Sequence, residues 1–210
     1  KKIIFSSSAS VYGNPLTDRI SENHPTNPIN EYGKSKLLSE NLIKKFVKDN
    51  NIAGASLRYF NAAGADFINK IGEYHIPETH LIPKIINSVI FKNKDGILIY
   101  GQDYDTIDGT CIRDYIYIYD LVVAHYSCAS FLENRNVYET FNLGSGSGNS
   151  ILQIINECQR VLDVKIPYTF TKRRFGDPEI LVADCKKSEH FLNYKVTKNS
   201  LEHIINSNFD

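Results

Sequence analysis

Methionine is absent from all 210 residues, including position 1, and the chain opens directly on the apolar run Ile3-Ile4-Phe5. We therefore expect it to be the downstream part of a longer protein. Net charge is also absent, because 24 basic residues balance 24 acidic ones. There is thus no overall field to hold a nucleic-acid backbone or an anionic membrane, and neither is an expected partner.

Cysteine is scarce, and no apolar run is long enough to span a bilayer. The longest apolar candidate is interrupted by Asp120 and His125. The cysteines form no Cys-x-x-Cys pair and are too sparse for a disulfide scaffold, which is typical of buried thiols in a cytoplasmic protein. These cysteines are Cys111, Cys128, Cys158 and Cys185. No metal site is predicted.

Strand and helix patterns alternate along the chain, which predicts an α/β fold with a mostly parallel sheet. The predicted strands are 3–7, 53–59, 97–100, 113–119, 139–143 and 166–171. The predicted helices are 30–50, 79–91, 120–132, 150–162, 186–192 and 200–206. Asn30 is the predicted N-cap of the first helix, which carries Leu38, Leu42 and Phe46 on one face.

The first turns of helix 30–50 contain a tyrosine and a lysine at positions 32 and 36. Residues four apart on a helix share one face, with about 5–6 Å between their Cβ atoms. An ammonium at that distance favours the phenolate form of a tyrosine, which can accept a proton from a substrate hydroxyl. Tyr32 and Lys36 are therefore candidate catalytic residues, although the same spacing also occurs on solvated helix faces.

Two other pairs have the same Tyr-x-x-x-Lys spacing, and their context separates them from the first. Tyr168 and Lys172 fall on a predicted strand, where four residues span about 13 Å and the side chains cannot touch along the chain. Tyr194 and Lys198 lie in a polar tail between two short predicted helices. Neither context favours catalysis.

The strand that precedes Tyr32 ends in Ser6-Ser7-Ser8. Open α/β sheets bind their ligands at the carboxyl ends of their strands. A hydroxyl cluster there can hydrogen-bond both a substrate oxygen and the oxygen of Tyr32. The alternative is a serine-rich turn that satisfies free backbone groups.

Taken in order, six blocks of this sequence resemble the UDP-glucose 4-epimerases, members of the extended short-chain dehydrogenase/reductase superfamily. The blocks cover nearly the whole chain, and together they are far more specific than any one of them. They are 5–13 (FSSSASVYG), 32–36 (YGKSK), 57–61 (LRYFN), 108–116 (DGTCIRDYI), 141–144 (FNLG) and 173–177 (RRFGD).

The resemblance implies the C-terminal part of a Rossmann-like, doubly wound parallel sheet and a smaller mixed α/β substrate domain. Residues 1–66 would be the remaining part of the NAD-binding domain. Residues 67–210 would mainly form the UDP-sugar-binding domain, with segments that cross back to the Rossmann sheet. No G-x-G-x-x-G turn precedes Ser6, so about the first third of the family pattern is missing.

A second glycine-rich segment follows the predicted strand 139–143. Its glycines at positions 144, 146 and 148 resemble those of a phosphate-binding loop, but their spacing differs from the G-x-G-x-x-G pattern of dinucleotide-binding proteins. We interpret the segment as a turn that leads to Ser150, the predicted N-cap of the next helix.

The resemblance also implies the chemistry, which is oxidation of the hexose at C4 by hydride transfer to bound NAD, followed by return of the hydride to the opposite face. Tyr32 would be the general base, Lys36 would activate it and bind the nicotinamide ribose, and Ser8 would bridge Tyr32 and the 4-hydroxyl. The implied cofactor-binding residues are Ser6, Ser7, Tyr32, Lys36, Tyr59 and Phe60.

The UDP group must stay anchored while the sugar turns over. A diphosphate needs bidentate guanidinium donors and amide donors, which Arg113, Arg174 and Asn61 offer. The Asp177 carboxylate can accept hydrogen bonds from the ribose hydroxyls, and the Tyr100 ring can pack near the uracil. The implied substrate-binding residues are Ser8, Asn61, His80, Tyr100, Arg113, Arg174 and Asp177.

Two positions leave alternatives open. His80 stands where some family members have an asparagine that contacts the nucleotide, and it is equally compatible with a plain helix-terminal residue. Leu181 stands at a position associated with admitting N-acetylated sugars, and leucine leaves that substrate range undecided.

The expected activity is interconversion of UDP-glucose and UDP-galactose by a homodimer in galactose metabolism, with the isolated chain inactive. A dehydratase of the same superfamily would carry Asp-Glu where Ala9-Ser10 stand, and neither residue is an acid. A UDP-glucuronate decarboxylase and a non-catalytic UDP-sugar-binding fragment are the remaining alternatives.

Overall fold

The computed structural model describes residues 1–66, 68–92, 96–197 and 200–209. Its strands are β1 (Lys2–Ser8), β2 (Ala53–Tyr59), β3 (Asn61–Ala63), β4 (Ile97–Tyr100), β5 (Ile112–Tyr117), β6 (Tyr138–Leu143), β7 (Gly148–Ser150), β8 (Tyr168–Thr171) and β9 (Ile180–Leu181). Its α-helices are α1 (Glu31–Asp49), α2 (Leu81–Ile90), α3 (Ile118–Phe131), α4 (Ile151–Leu162), α5 (Lys186–Leu192) and α6 (Leu201–Asn206). One turn of 3-10 helix, Ala9–Val11, follows β1.

The central sheet consists of three parallel strands in the order β1-β2-β6. Its pairing runs from Lys2 with Ala53 to Ser8 with Tyr59, and Tyr59 in turn pairs with Leu143. The chain therefore returns to this sheet after a long excursion. The predicted α/β class with a parallel sheet is confirmed, whereas the proposed division at residue 66 stays a prediction.

The remaining strands, before and after β6, form two smaller sheets. In one of them, β5 pairs in parallel with β3 and β9 and antiparallel with β7. In the other, β4 pairs in parallel with β8. The strands β3, β7 and β9 were not predicted, because two or three residues are too few to show an alternating pattern.

Most predicted elements agree with the structure within two residues. One of the two-residue differences is at the junction of β5 and α3, since the predicted strand extends to residue 119 and α3 begins at Ile118. Tyr117 is the N-cap residue of α3 and its side chain makes no cap hydrogen bond. The sequence therefore contained no cap signal to mark this boundary.

Helix α1 begins as predicted, because the Asn30 side chain accepts a hydrogen bond of 2.8 Å from the Gly33 N–H. Leu38, Leu42 and Phe46 do share one face, but this face is exposed, at 61%, 61% and 52%. The buried residues of the helix are instead Gly33, Glu40 and Val47, which face the protein interior.

A buried ion pair joins α1 to the sheet. The Arg58 guanidinium on β2 donates to both oxygens of the Glu40 carboxylate, at 2.9 and 2.6 Å, and both side chains are at most 7% exposed. Ser7 donates to Glu40 at 2.5 Å, and Arg58 also donates to the Tyr12 hydroxyl at 2.9 Å. Tyr12 donates to Asn142 at 2.6 Å, so the network reaches β6. This face of the sheet is therefore held by hydrogen bonds.

The opposite face of the same sheet is apolar. Alternate residues of β2 pack there against α3 and against the inward residues of β6, as period-2 side-chain alternation requires. The buried residues of this cluster include Ala53, Ala55, Leu57, Leu121, Ala124, Cys128, Phe141 and Leu143. Helices thus cover both faces of the parallel strands.

All four cysteines are free and buried, as predicted. Burial raises the pKa of the Cys111 thiol, and it raises the pKa of Cys128, Cys158 and Cys185 to about 12. Within the described ranges, every helix is too short or too polar to cross a bilayer.

Replacing Arg58 with methionine should lower the free energy of unfolding by about 3–5 kcal/mol, because the Glu40 carboxylate would be left buried without its partner. Urea denaturation of the purified protein measures this change. Lys34→Met, which breaks an exposed pair with Glu31, is the matched control and should change stability far less. If the two variants lost the same free energy of unfolding, the buried pair would contribute no more to stability than the exposed one.

Candidate active site

A cleft of about 930 Å³ lies at the carboxyl ends of the strands. One wall is formed by the ends of β1 and β2 and by the first turn of α1. The other wall is formed by α2, β4, part of β5 and the residues near 174–177. Predicted site residues in the lining are Ser7, Ser8, Tyr32, Tyr59, Phe60, Asn61, His80, Tyr100, Arg113, Arg174 and Asp177.

The structure brings Tyr32 and Lys36 together. The Lys36 ammonium lies 5.5 Å from the centre of the Tyr32 ring and donates a hydrogen bond of 3.0 Å to the Ser6 carbonyl oxygen. It also lies 5.1 Å from the Phe5 ring. Lys36 is thus held between α1 and β1, and Tyr32, which is 56% exposed, lines the cleft.

A close backbone contact fixes the start of α1. A Cβ atom at Gly33 would lie 2.4 Å from the Ser10 carbonyl oxygen and 2.9 Å from Cβ of Pro28. Only glycine permits this approach of the helix to the 3-10 turn. The contact sets the distance between Tyr32, the residue before Gly33, and the serines at the end of β1.

The three serines have three different partners. Ser6 accepts a hydrogen bond of 2.8 Å from the Tyr59 hydroxyl, and Ser7 is buried and donates to Glu40. Ser8 accepts from the Ser10 N–H at 3.1 Å, which caps the 3-10 turn, and its hydroxyl also bonds the Ser10 hydroxyl at 3.2 Å. Ser8 therefore satisfies local backbone groups and also faces the cleft.

His125 lies beside the predicted residues, although no sequence motif marked it as a site residue. Its Nε2 atom is hydrogen-bonded to the Tyr59 hydroxyl, and its Nδ1 atom lies 2.8 Å from the Leu121 carbonyl oxygen. A carbonyl only accepts, so Nδ1 carries a proton. His125 sits on α3 and reaches the cleft region only because α3 packs under the end of β2.

Two other tyrosines near the cleft are poor candidates for the base. Burial raises the pKa of the Tyr59 phenol, and the pKa of Tyr12 is raised to about 12 by burial, even though Arg58 opposes that change. Both therefore stay protonated near neutral pH. Tyr32 is the tyrosine that combines cleft exposure with an adjacent ammonium.

The far end of the cleft is cationic. The Arg174 guanidinium stacks over the Tyr100 ring at 4.1 Å, a cation–π geometry that holds both side chains. The Arg113 Nη2 atom lies 3.9 Å from the Asp177 carboxylate, and its Nη1 donates to the Ile112 carbonyl oxygen at 2.9 Å. These four residues form one group of donors, acceptors and an aromatic ring.

Between the two ends lie Phe60, Asn61 and His80. Phe60 is 7% exposed and forms an apolar part of the wall, and Asn61 starts β3. His80 lines the cleft and is also the N-cap residue of α2, without a side-chain cap hydrogen bond. Both readings of His80 from the sequence are thus compatible with its place in the structure.

The glycine-rich segment after β6 is a turn around a buried carboxylate. Asp114 accepts hydrogen bonds from the N–H groups of Ser145 and Gly146, at 2.7 and 3.0 Å, and from the Ala183 N–H at 3.0 Å. Burial raises the pKa of Asp114, and these hydrogen bonds act in the opposite direction. The amides that would bind a phosphate are therefore occupied, and Ser150 caps α4 as predicted.

The remaining sequence alternatives find no support as sites. Tyr168 lies on β8, as predicted, whereas Lys198 lies outside the described residues, so the Tyr194/Lys198 pair is not described. Leu181 lies in β9, where it pairs with Arg113 of β5, and it packs against the buried cluster that contains Phe60.

The residues present fit one half of a dinucleotide. Lys36, the Ser6 hydroxyl and the Tyr59 phenol lie together at the ends of β1 and β2, where they suit ribose hydroxyls and a nicotinamide amide. Ser6 and Lys36 do not line the cleft themselves but contact Tyr59 and Tyr32, which do. The sequence has no glycine-rich turn of the pyrophosphate-binding type.

Comparison with protein families gives the class of the chain. Residues 1–144 match the NAD dependent epimerase/dehydratase family. The chain belongs to this family, and the matched part includes both Tyr32 and the strands that place it.

Individual relatives confirm the resemblance seen in the motifs. The chain is 43% identical over 206 residues to the UDP-glucose 4-epimerase of Lactobacillus helveticus, covering 98% of this chain and 62% of the relative. The UDP-glucose 4-epimerase of Brucella ovis in complex with NAD superposes with a TM-score of 0.92 at 39% identity, covering 99% and 63%. The UDP-glucose 4-epimerase of Bifidobacterium longum, in complex with NAD⁺ and UDP, superposes with a TM-score of 0.91 at 36% identity. The match covers 99% of this chain and 62% of that one.

Replacing Gly33 with alanine should lower the free energy of unfolding by about 1–3 kcal/mol, because the new methyl group forces α1 away from Ser10. Chemical denaturation measures the loss. Asn41→Ala, at an exposed position of the same helix, is the control and should leave stability unchanged or slightly higher, since alanine favours helix. A Gly33→Ala protein as stable as this control would show that the close contact is not needed.

Proposed function

We propose that this chain is the catalytic and nucleotide-binding part of an enzyme that interconverts UDP-glucose and UDP-galactose with NAD. One observation carries the proposal: a single cleft is lined both by Tyr32, which is backed by Lys36, and by Arg174, which stacks on Tyr100. This arrangement matches a substrate with a reactive hydroxyl at one end and an anionic, aromatic nucleotide at the other.

At the reactive end, Tyr32 is the proposed general base, and its oxygen takes the proton of the sugar 4-hydroxyl. The Lys36 ammonium lies 5.5 Å from the centre of the Tyr32 ring and is held in place by the Ser6 carbonyl oxygen, and its positive charge is proposed to assist this transfer. Ser8, fixed by its bonds to Ser10, is proposed to orient the 4-hydroxyl toward Tyr32. Bound NAD would supply the hydride acceptor at this end, next to Tyr59 and Phe60.

At the nucleotide end, the proposed roles follow charge and shape. Arg174 and Arg113 bind the diphosphate, and Asn61 adds an amide donor. Asp177 accepts from ribose hydroxyls, and Tyr100 packs near the uracil. His80 faces the same space from the N-terminus of α2, where an anion is favoured.

The proposal concerns the complete enzyme, because the chain spans about 62% of the length of the curated relatives it matches. The identity of these relatives as UDP-glucose 4-epimerases, and the NAD and UDP bound in the similar structures, support it. For this chain alone, the absence of a glycine-rich turn from the sequence leads us to propose UDP binding without turnover.

Two alternative functions are less well supported. A dehydratase needs an acid beside the serine at the end of β1, and Ala9 and Ser10 occupy the 3-10 turn at that place. A non-catalytic UDP-sugar-binding protein would not need Lys36 to be held against Tyr32. Acceptance of N-acetylated sugars is left open, since a 37% identical neighbour from Campylobacter jejuni is named a UDP-Glc/GlcNAc 4-epimerase.

We further propose a homodimer in the cytoplasm that acts in galactose metabolism. The exposed stripe of Leu38, Leu42 and Phe46 on α1 supports dimerisation, because large apolar side chains at this spacing form a continuous surface. The balanced charge of the sequence supports a small-molecule substrate over nucleic acid.

Replacing Tyr32 with phenylalanine in the complete enzyme should lower kcat by about 10²–10⁴-fold, because the proton acceptor is removed while the ring remains. UDP affinity should stay the same, since Tyr32 lies at the other end of the cleft. The assay converts UDP-galactose to UDP-glucose without added cofactor, and calorimetry measures UDP binding. Retained turnover would remove Tyr32 from the role of base, and absence of turnover in the unaltered enzyme would contradict the proposed function.

Replacing Arg174 with alanine should weaken UDP binding about 10- to 100-fold, which corresponds to one or two charged hydrogen bonds to the diphosphate. This measurement needs no turnover and applies to the chain of 210 residues. Lys172→Ala, a nearby exposed cation, is the control for a general charge effect. If both variants bind UDP as tightly as the unaltered chain, Arg174 does not anchor the nucleotide.

A further inference from the structure

A cluster of two histidines and two glutamates lies at the rim of the cleft, in the segment that leads into α2. It consists of Glu73, His75, Glu78 and His80. One ligand-type atom from each side chain, a histidine nitrogen or a carboxylate oxygen, lies within 4.8 Å of the other three. Three of the four residues, all except His75, also line the cleft.

Two of the separations between these atoms, both measured from His75, are close to the edges of a tetrahedral metal site. With metal–ligand distances of about 2.0–2.1 Å, the ligand atoms of a tetrahedral zinc ion lie about 3.3–3.4 Å apart. His75 Nδ1 lies 3.3 Å from Oε1 of Glu73 and 3.6 Å from Oε2 of Glu78. His80 Nδ1 lies 3.7 Å from the other oxygen of Glu78, Oε1. His80 Nδ1 also contacts the Glu73 carboxylate.

The cluster has the support that metal ligands need. One oxygen of Glu78 accepts hydrogen bonds from the N–H groups of Thr79 and His80, at 2.7 and 2.8 Å. This fixes the carboxylate and leaves its other oxygen, the one that faces His75, free to coordinate. The glutamate side chains are 21% and 10% exposed, whereas the histidines are half exposed, so an ion can enter from solvent.

We infer that Glu73, His75, Glu78 and His80 bind one divalent transition-metal ion, with Zn²⁺ the best match. Two imidazoles disfavour Mg²⁺ and Ca²⁺, which prefer oxygen ligands alone, and two carboxylates balance the charge of the ion. Four protein ligands close the coordination shell, as in structural rather than catalytic zinc sites. The ion would tie residues 73–75 to the start of α2 and leave His80 Nε2 protonated, as a donor beside the cleft.

The sequence alone indicated no metal, and the structure shows the reason. The four ligands follow one another at intervals of two, three and two residues within a loop, which is none of the familiar zinc spacings. Only the bend of the loop between His75 and Glu78 brings the two halves together.

Calorimetric titration of the chelator-treated protein with ZnCl₂ tests the inference. We expect one saturable site per chain, and a loss of affinity of at least about tenfold in His75→Asn and in Glu73→Gln. His190→Asn, at an exposed histidine outside the cluster, should bind Zn²⁺ as the unaltered protein does. Because His75 is half exposed on a loop, its variant should fold, and circular dichroism checks this.

Titration with Co²⁺ separates this site from the four cysteines. Coordination by nitrogen and oxygen in a tetrahedral site gives visible d–d bands without a thiolate charge-transfer band. No saturable binding, equal affinity in all variants, or a thiolate band would overturn the inference, and would leave the cluster as histidine–glutamate ion pairs only. None of these outcomes depends on turnover or on UDP binding, so the test is independent of the proposed function.

Discussion

The structure depends on the buried pair of Arg58 and Glu40. Two opposite charges removed from water are stable only when each has the other in good geometry, and here two hydrogen bonds join them. Glu40 therefore fixes both the rotation and the axial position of α1 on the sheet. The same helix carries Tyr32 two turns earlier, so a buried charge pair behind the cleft wall helps to set the position of the phenol.

The position of the helix is reinforced at its start by the contact of Gly33 with Ser10. These two contacts lie about two turns apart on one side of α1. A rigid helix held at two points cannot tilt without breaking one of them. This explains how the outer face of α1 can expose Leu38, Leu42 and Phe46 without loosening the contact between Tyr32 and Lys36.

Local signals in the sequence predicted much of the fold. The Asn30 and Ser150 caps, the apolar strands and the spacing of Tyr32 and Lys36 all depend on neighbours within a few residues. The partners across the chain could not be predicted in this way. Glu40 and Arg58 lie on different elements, His125 reaches Tyr59 only after α3 packs, and β3, β7 and β9 form only when β5 is in place.

The same limit applies to the site. The motifs named the residues that line the cleft, but they did not show that Ser7 bonds Glu40 or that Arg174 stacks on Tyr100. The sequence pattern placed Leu38, Leu42 and Phe46 on one face of α1, and the structure shows that this face is exposed to solvent. Periodicity reports that residues share a face, and tertiary contacts decide where that face points.

Two adjacent residues of β5, Arg113 and Asp114, face different surroundings. Asp114 is fully buried and holds three N–H groups from two other segments, whereas Arg113 lines the cleft. Successive side chains of a strand point to opposite faces, so the two residues are separated by the thickness of the sheet. Ligand preference in this protein can therefore diverge at Arg113 while Asp114 preserves the scaffold, and the two properties can evolve independently although they occupy neighbouring codons.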